Sequence, residues 1–142
     1  MEVRVKWTGE MSFVGESGSG HVVAMDGAPQ FGGRNLAPRP MEMVLIGLGG
    51  CNSFDIVKLL KDAGQDVRDV ELHLEAERAD AAPAVFTRIK GLYKVTGCKL
   101  DENEVRKAVE LSARERSSVS KMLEKTACIT YDYEIVEIGT GE

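Results

Sequence analysis

Cys51 is the residue in this chain best placed to do chemistry. It ends the segment Pro40-Met41-Glu42-Met43-Val44-Leu45-Ile46-Gly47-Leu48-Gly49-Gly50-Cys51. A thiol is a nucleophile only as thiolate, a form favoured by nearby positive charge or a helix N-terminus. A proline and a carboxylate ahead of an apolar, glycine-spaced run spell a helix, and Cys51 lies too deep in it to use its N-terminus. A cation must come from elsewhere. Arg39 is the one nearest the helix start, with Arg34 in reserve. Each residue also has a plainer role. A free cysteine is commonly a small buried hydrophobe, a loop arginine is commonly solvated, and Glu42 in a first helical turn favours the helix dipole.

The other sulfur and imidazole groups are less promising. Cys98 falls in the turn Thr96-Gly97-Cys98-Lys99 and is expected to be exposed. Cys128 opens the final strand and is expected in the core. Three cysteines make an odd number with no CxxC pair, which argues against a disulfide framework and a structural zinc site. His21, on a strand after Gly20, reads as a surface or hydrogen-bonded side chain. With His73 the only other histidine, a histidine-rich metal site is poorly supplied. No metal and no cofactor is expected.

The elements that must position Cys51 follow from pattern. Val3 to Trp7 alternates like a strand. Phe13–Glu16 and His21–Met25 flank Ser17-Gly18-Ser19-Gly20 and predict a hairpin. Asp26 to Pro40 is a loop by composition. Met41 to Ala63 reads as a long helix, with Pro40 suited to its start and Gly64 to its C-terminal cap. Gly47, Gly49 and Gly50 each cost about 1 kcal/mol relative to alanine inside a helix. Close packing on a sheet or on another helix would explain them. Val67–Glu77 and Phe86–Thr96 predict two long strands. Asp101, with Glu104 three residues on, predicts a capped helix. Ser117 to Lys125 reads as a short helix with Ser117 as a natural N-cap, and Ile129 to Ile138 as a last strand. Hairpins dominate, so the class is α+β with a largely antiparallel sheet.

At 142 residues the chain is expected to be a single domain, residues 1–142. A formal net charge of −5 argues against binding nucleic acid or an anionic membrane. No continuous apolar run approaches the roughly 20 residues that span a bilayer. The opening Met1-Glu2-Val3-Arg4-Val5-Lys6-Trp7 lacks the apolar stretch of a signal peptide, so a cytoplasmic location is expected.

Taken together, the sequence resembles the family of osmotically inducible protein C (OsmC) and organic hydroperoxide resistance proteins, in its YhfA-like branch. The resemblance rests on Gly15-Glu16-Ser17, Ser19-Gly20-His21, Met25-Asp26-Gly27 and Ala37-Pro38. It continues through Pro40-Met41-Glu42-Met43-Val44-Leu45 and Gly49-Gly50-Cys51. Glu77-Arg78, Pro83, Phe86-Thr87, Val95-Thr96-Gly97, Ser117-Ser118-Val119 and Met122-Leu123-Glu124-Lys125 complete it. It implies an OsmC-like fold with a long central cysteine-bearing helix, in an intertwined homodimer with sites at the interface. It also implies a peroxidatic cysteine, Cys51, held as thiolate by an arginine and a glutamate, here Arg39 and Glu42, and a second cysteine that closes a disulfide.

This chain departs from that pattern twice. Ser117 stands at the resolving-cysteine position, and serine forms no disulfide. The glutamate that directly follows the proline in the hydroperoxide resistance branch is displaced by Met41, so Glu42 comes one place later. The expected function is thiol-dependent reduction of organic hydroperoxides through Cys51, with an external thiol reductant that the sequence does not identify. The alternative is a non-enzymatic stress or small-molecule-binding protein, favoured by Ser117.

Overall fold

Alternating Val3, Val5 and Trp7 begin β1 (Val3–Gly9), which pairs antiparallel with β2 (Ser12–Ser17), itself antiparallel to β3 (Val22–Met25). These come from a computed structural model that describes residues 1–139. Its contacts gather into two units, Met1–Ile46 and the chain from Gly47 onward. The register of the first unit sets Val5 beside Gly15 and Trp7 beside Phe13, with Val23 and Met25 on the third strand. One face of this sheet is therefore apolar. Much of it stays uncovered: Val3, Val5, Val23 and Trp7 are exposed, Trp7 at 63%. The loop that follows contains a single 3-10 turn, Pro29–Phe31.

The long helix α1 (Pro40–Asp62) starts in the first unit and runs unbroken into the second. Gly64 ends it at φ +72°, a left-handed conformation that glycine adopts without steric cost. Its buried residues, Leu48, Asn52, Ile56 and Leu60, fall four apart and form one ridge. The expectation about membrane-length segments is corrected here. Small and polar residues break the apolar run along the sequence, but a helix averages over them. By length and composition α1 is apolar enough to cross a membrane, with a mean hydropathy of 1.5 over its best window. In the second unit its ridge is occupied instead by the protein core.

That core rests on a second three-stranded sheet, β4 (Asp66–Arg78), β5 (Phe86–Cys98) and β6 (Cys128–Glu137), with β5 central. Ile56 and Leu60 of α1 pack with Tyr93, Val95, Val105, Ala108 and Val109. Each large aliphatic there contributes about 1.5–3 kcal/mol by burial. The α+β class holds, with two refinements. The strands form two sheets rather than one, and β6 runs parallel to β5. The cause is the connection. The chain leaves β5 through α2 (Glu102–Leu111), a π-turn at Ser112–Arg116 and α3 (Ser118–Leu123). A helical crossover of that length returns the chain in the same direction.

The capping signals hold in part. Asp101 caps α2 by accepting from the Asn103 amide at 2.8 Å. The reciprocal half of the motif is taken over by Gln65, whose Oε1 accepts from the Asp101 amide at 2.7 Å.

Two cysteine expectations are reversed. Strand β5 extends to Cys98, which is buried, and its Sγ–H donates to the Ile138 carbonyl at 3.4 Å. Cys128 does open the last strand, but it pairs in register with exposed Arg88 on the solvent face and is itself exposed.

Candidate functional site

Cys51 sits on α1 one position before the buried ridge residue Asn52, which leaves the thiol partly exposed. Asn52 is fully buried, and a buried amide needs partners. Its Oδ1 accepts from the Ser120 hydroxyl at 3.3 Å, and that hydroxyl is 2.7 Å from the Tyr131 hydroxyl. The helix that carries Cys51 is thereby tied to α3 and to β6. Gly91 on β5 makes room for this arrangement: a Cβ there would lie 2.6 Å from the Tyr131 ring. Gly49 faces Leu74 of β4, at 3.4 Å from where a Cβ would stand, an ordinary packing distance that an alanine would also meet. Gly47 and Gly50 have nothing within 4 Å.

One helical turn after Cys51, Asp55 accepts from the buried Ser112 hydroxyl at 3.1 Å. Ser112 opens the π-turn, so this bond holds the turn against α1. The Tyr93 hydroxyl and Asn52 Nδ2 are buried without a hydrogen-bond partner of good geometry. Burial, above all, pushes the Tyr93 pKa up; the nearby Tyr131 adds to the rise, while Asn52 and Ser112 oppose it. Tyr131 is also pushed up, chiefly by burial. Its hydrogen bonds to Ser120 and Asn52 oppose the shift, and a negative charge on Cys51 adds to it. Both tyrosines are therefore protonated at neutral pH. Ser117 is 3% exposed and caps α3 as the sequence indicates, its Oγ accepting from the Ser120 amide at 3.1 Å.

In the first unit, Arg39 and Glu42 meet. Arg39 is the residue before α1, and its amide donates to Glu42 Oε1 at 2.9 Å, the reach-back of a helix start. Its guanidinium Nη1 lies 3.5 Å from the same oxygen and donates to Asn35 Oδ1 at 3.1 Å. The loop ahead of Arg39 is organised by Asp26. This buried carboxylate accepts from the amides of Gly27 at 2.8 Å, Leu36 at 3.1 Å and Arg34 at 3.3 Å. Burial alone would raise the Asp26 pKa, but these amides and Ser12 outweigh it and hold it below the usual carboxylate range. Arg34 Nη2 donates to Ser12 Oγ at 3.4 Å. His21 is exposed, with Nδ1 3.3 Å from Ser19 Oγ. Among the described residues no group of three His, Cys, Asp or Glu side chains is placed to hold a metal ion.

The cluster that anchors α1 next to Cys51, Asn52 with Ser120 and Tyr131, was not legible from sequence. One signal was available. Asn52 interrupts an apolar i, i+4 ridge, and a polar residue at such a position requires a buried partner.

Comparison with known proteins places these features in a family. The OsmC-like protein family matches residues 32–132. Protein YhfA of Escherichia coli K12 is 46% identical over 136 residues, covering 96% of this chain and 98% of that protein. A hypothetical protein from Aquifex aeolicus VF5 superposes with a TM-score of 0.85 at 24% identity, covering 97% of both chains. An organic hydroperoxide resistance protein from Legionella pneumophila superposes with a TM-score of 0.67 at 15% identity, covering 94% of this chain and 96% of that one. These last two likenesses bear on fold alone. The family match over most of the chain, the 46% identity and the shared fold together establish that this chain belongs to the OsmC-like protein family.

Proposed function

We propose that this chain is a thiol-dependent hydroperoxide reductase that works through Cys51 as a homodimer in the cytoplasm. The observation that carries the reading is the placement of Cys51. It is a partly exposed thiol at the edge of a buried ridge, in a family some of whose structural neighbours are named organic hydroperoxide resistance proteins. The thiolate attacks the terminal peroxide oxygen and the O–O bond breaks. The alkoxide takes a proton and leaves as alcohol, and Cys51 becomes a sulfenic acid. With serine at position 117, the sulfenic acid condenses with an external thiol and releases water. A second external thiol then frees Cys51.

The homodimer is supported by the uncovered apolar face of Val3, Val5 and Trp7 and by the open sides of Gly47 and Gly50. The paired Arg39 and Glu42 are the groups we assign to hold the thiolate. On an unbroken helix, nine residues separate Glu42 from Cys51 by about 13 Å of rise and turn them to opposite sides. We therefore assign the pair to the Cys51 of the other protomer.

The test is consumption of an organic hydroperoxide by substoichiometric protein in the presence of a thiol reductant. Multiple turnovers that vanish in Cys51→Ser are expected. A second reading, a non-enzymatic binding protein, is favoured by Ser117, which is buried and committed to capping α3. No turnover in the folded protein selects it.

A further inference from the structure

The connection between α2 and α3 is built in an uncommon way. At Ser112–Arg116 the backbone widens into a π-turn, closed by the Ser117 amide donating to the Ser112 carbonyl at 2.9 Å. Such turns are rare and recur at functional sites. This one is pinned at its first residue, where the buried Ser112 hydroxyl donates to Asp55 of α1. Arg114, at its middle, therefore projects from a backbone held at both ends.

A cleft of about 350 Å³ opens beside the turn, lined by Ala113, Arg114, Ser120, Lys121, Glu124 and Ile129. Ligand sites run from about 300 to 1,000 Å³, so this cleft suits a small molecule. Its charges are unbalanced. Lys121 Nζ lies 3.1 Å from Glu124 Oε1, whereas Arg114 has no ion pair among the described residues. Two cations thus meet one carboxylate, a local positive excess on a chain whose formal net charge is −5. Ser120 adds a polar side chain that is only 2% exposed. Its hydroxyl proton is already given to Asn52 Oδ1, so donors for a ligand must come from Arg114 and Lys121.

We propose that this cleft binds a small aliphatic carboxylate. Arg114 offers a planar fork of N–H donors that matches a carboxylate, and it gives up no existing ion pair to do so. Lys121 has N–H donors to spare while bonded to Glu124. The half-buried Ala113 and Ile129 form an apolar wall for the tail. A bare inorganic anion would use the cations and leave the wall idle, and a neutral molecule would leave Arg114 idle. The inference stands apart from the chemistry of Cys51.

The test is a titration of the isotope-labelled protein with sodium butyrate at constant ionic strength, followed by the amide resonances in nuclear magnetic resonance spectra. A ligand of so few atoms binds in the millimolar range, so the titration extends through it. Saturable shifts centred on Arg114, Lys121 and Ile129 are expected. Butyramide, of the same shape but neutral, is expected to leave these resonances in place, and inorganic phosphate is expected to bind more weakly than butyrate. Arg114→Gln is expected to weaken butyrate by about tenfold or more, the loss that follows removal of a charged hydrogen-bond donor. Three results overturn the proposal: shifts that do not saturate or lie elsewhere, butyramide or phosphate matching butyrate, and unchanged butyrate affinity in Arg114→Gln. Should that exposed substitution disturb the fold, the comparison of butyrate with butyramide on the native protein decides alone.

Discussion

At the scale of single residues, position 117 separates this chain from the two-cysteine members its sequence resembles. Serine there has a job of its own. Its hydroxyl accepts from the Ser120 amide and satisfies one of the open donors at the start of α3. Ser117→Cys is expected to fold, losing at most about 1 kcal/mol with the cap. If the pocket keeps the arrangement of the two-cysteine enzymes, one equivalent of organic peroxide is expected to join the introduced thiol to Cys51. Intact-protein mass spectrometry would then show the loss of two hydrogens, with the sulfurs at bonding distance of about 2 Å. A folded variant that oxidises without forming this bridge would show that the Cys51 pocket has diverged. Cys98 and Cys128 are poor substitutes for a resolving thiol. One is buried against the Ile138 carbonyl, and the other is exposed on the far face of its sheet, beside Arg88.

At the scale of elements, the loop ahead of α1 depends on one carboxylate. Asp26 gathers three amides from Gly27, Arg34 and Leu36, and so sets the path by which the chain reaches Arg39. Gly33 fits the same turn because a Cβ there would clash with the Gly27 carbonyl. Asp26→Asn retains one acceptor oxygen and turns a donor toward amides that also donate. It is expected to lower stability and to loosen the Arg39–Glu42 pair. The pH dependence has a definite sign. The folded-state pKa of Asp26 is depressed, so its contribution is present above the unfolded value near 4 and is lost as pH falls through the folded value. The melting-temperature gap between the native protein and Asp26→Asn is thus expected to be widest at neutral pH and to close below about pH 4. A gap independent of pH would mean that the carboxylate charge is not what holds the loop.

At the scale of the whole molecule, the first unit exposes an apolar sheet face that 46 residues cannot cover from within. In the second unit, Phe54 of α1 is 70% exposed beside a groove of about 710 Å³, lined in part by Val57, Val67 and Val70. Surfaces of this kind are ordinarily covered by a partner. Light scattering at micromolar concentration is expected to give twice the mass of the chain, and a folded monomer would reject the dimer. Mixed dimers test whether a site is shared between chains. One parent carries Glu42→Ala and the other Cys51→Ser. If Glu42 serves the Cys51 of the other protomer, one site in each mixed dimer is intact, and about half of native activity returns. If each site lies within one chain, every site has a defect and the mixture stays inactive.

Most elements, and several of their ends, are legible in the residues themselves. Alternation marked β1, the turn Ser17-Gly18-Ser19-Gly20 marked the hairpin of β2 and β3, the proline and glycine marked the limits of α1, Asp101 and Ser117 marked the starts of α2 and α3, and Cys51 stood out as the thiol on a helix. These features are local, because periodicity and capping involve residues within a few positions of one another. Features that need distant parts of the chain to meet became visible in the fold alone. The direction of β6 followed from the helical crossover. The exchange of fates between Cys98 and Cys128 followed from strand length and register, since a shift of one residue turns a side chain to the other face. The chain Tyr131–Ser120–Asn52 joins residues 68 and 11 positions apart, and no pattern in a single sequence states such a pairing. A buried asparagine on an apolar ridge announced that a partner must exist. Which residues would satisfy it was settled by the packing of α1, α3 and β6 around one hydroxyl.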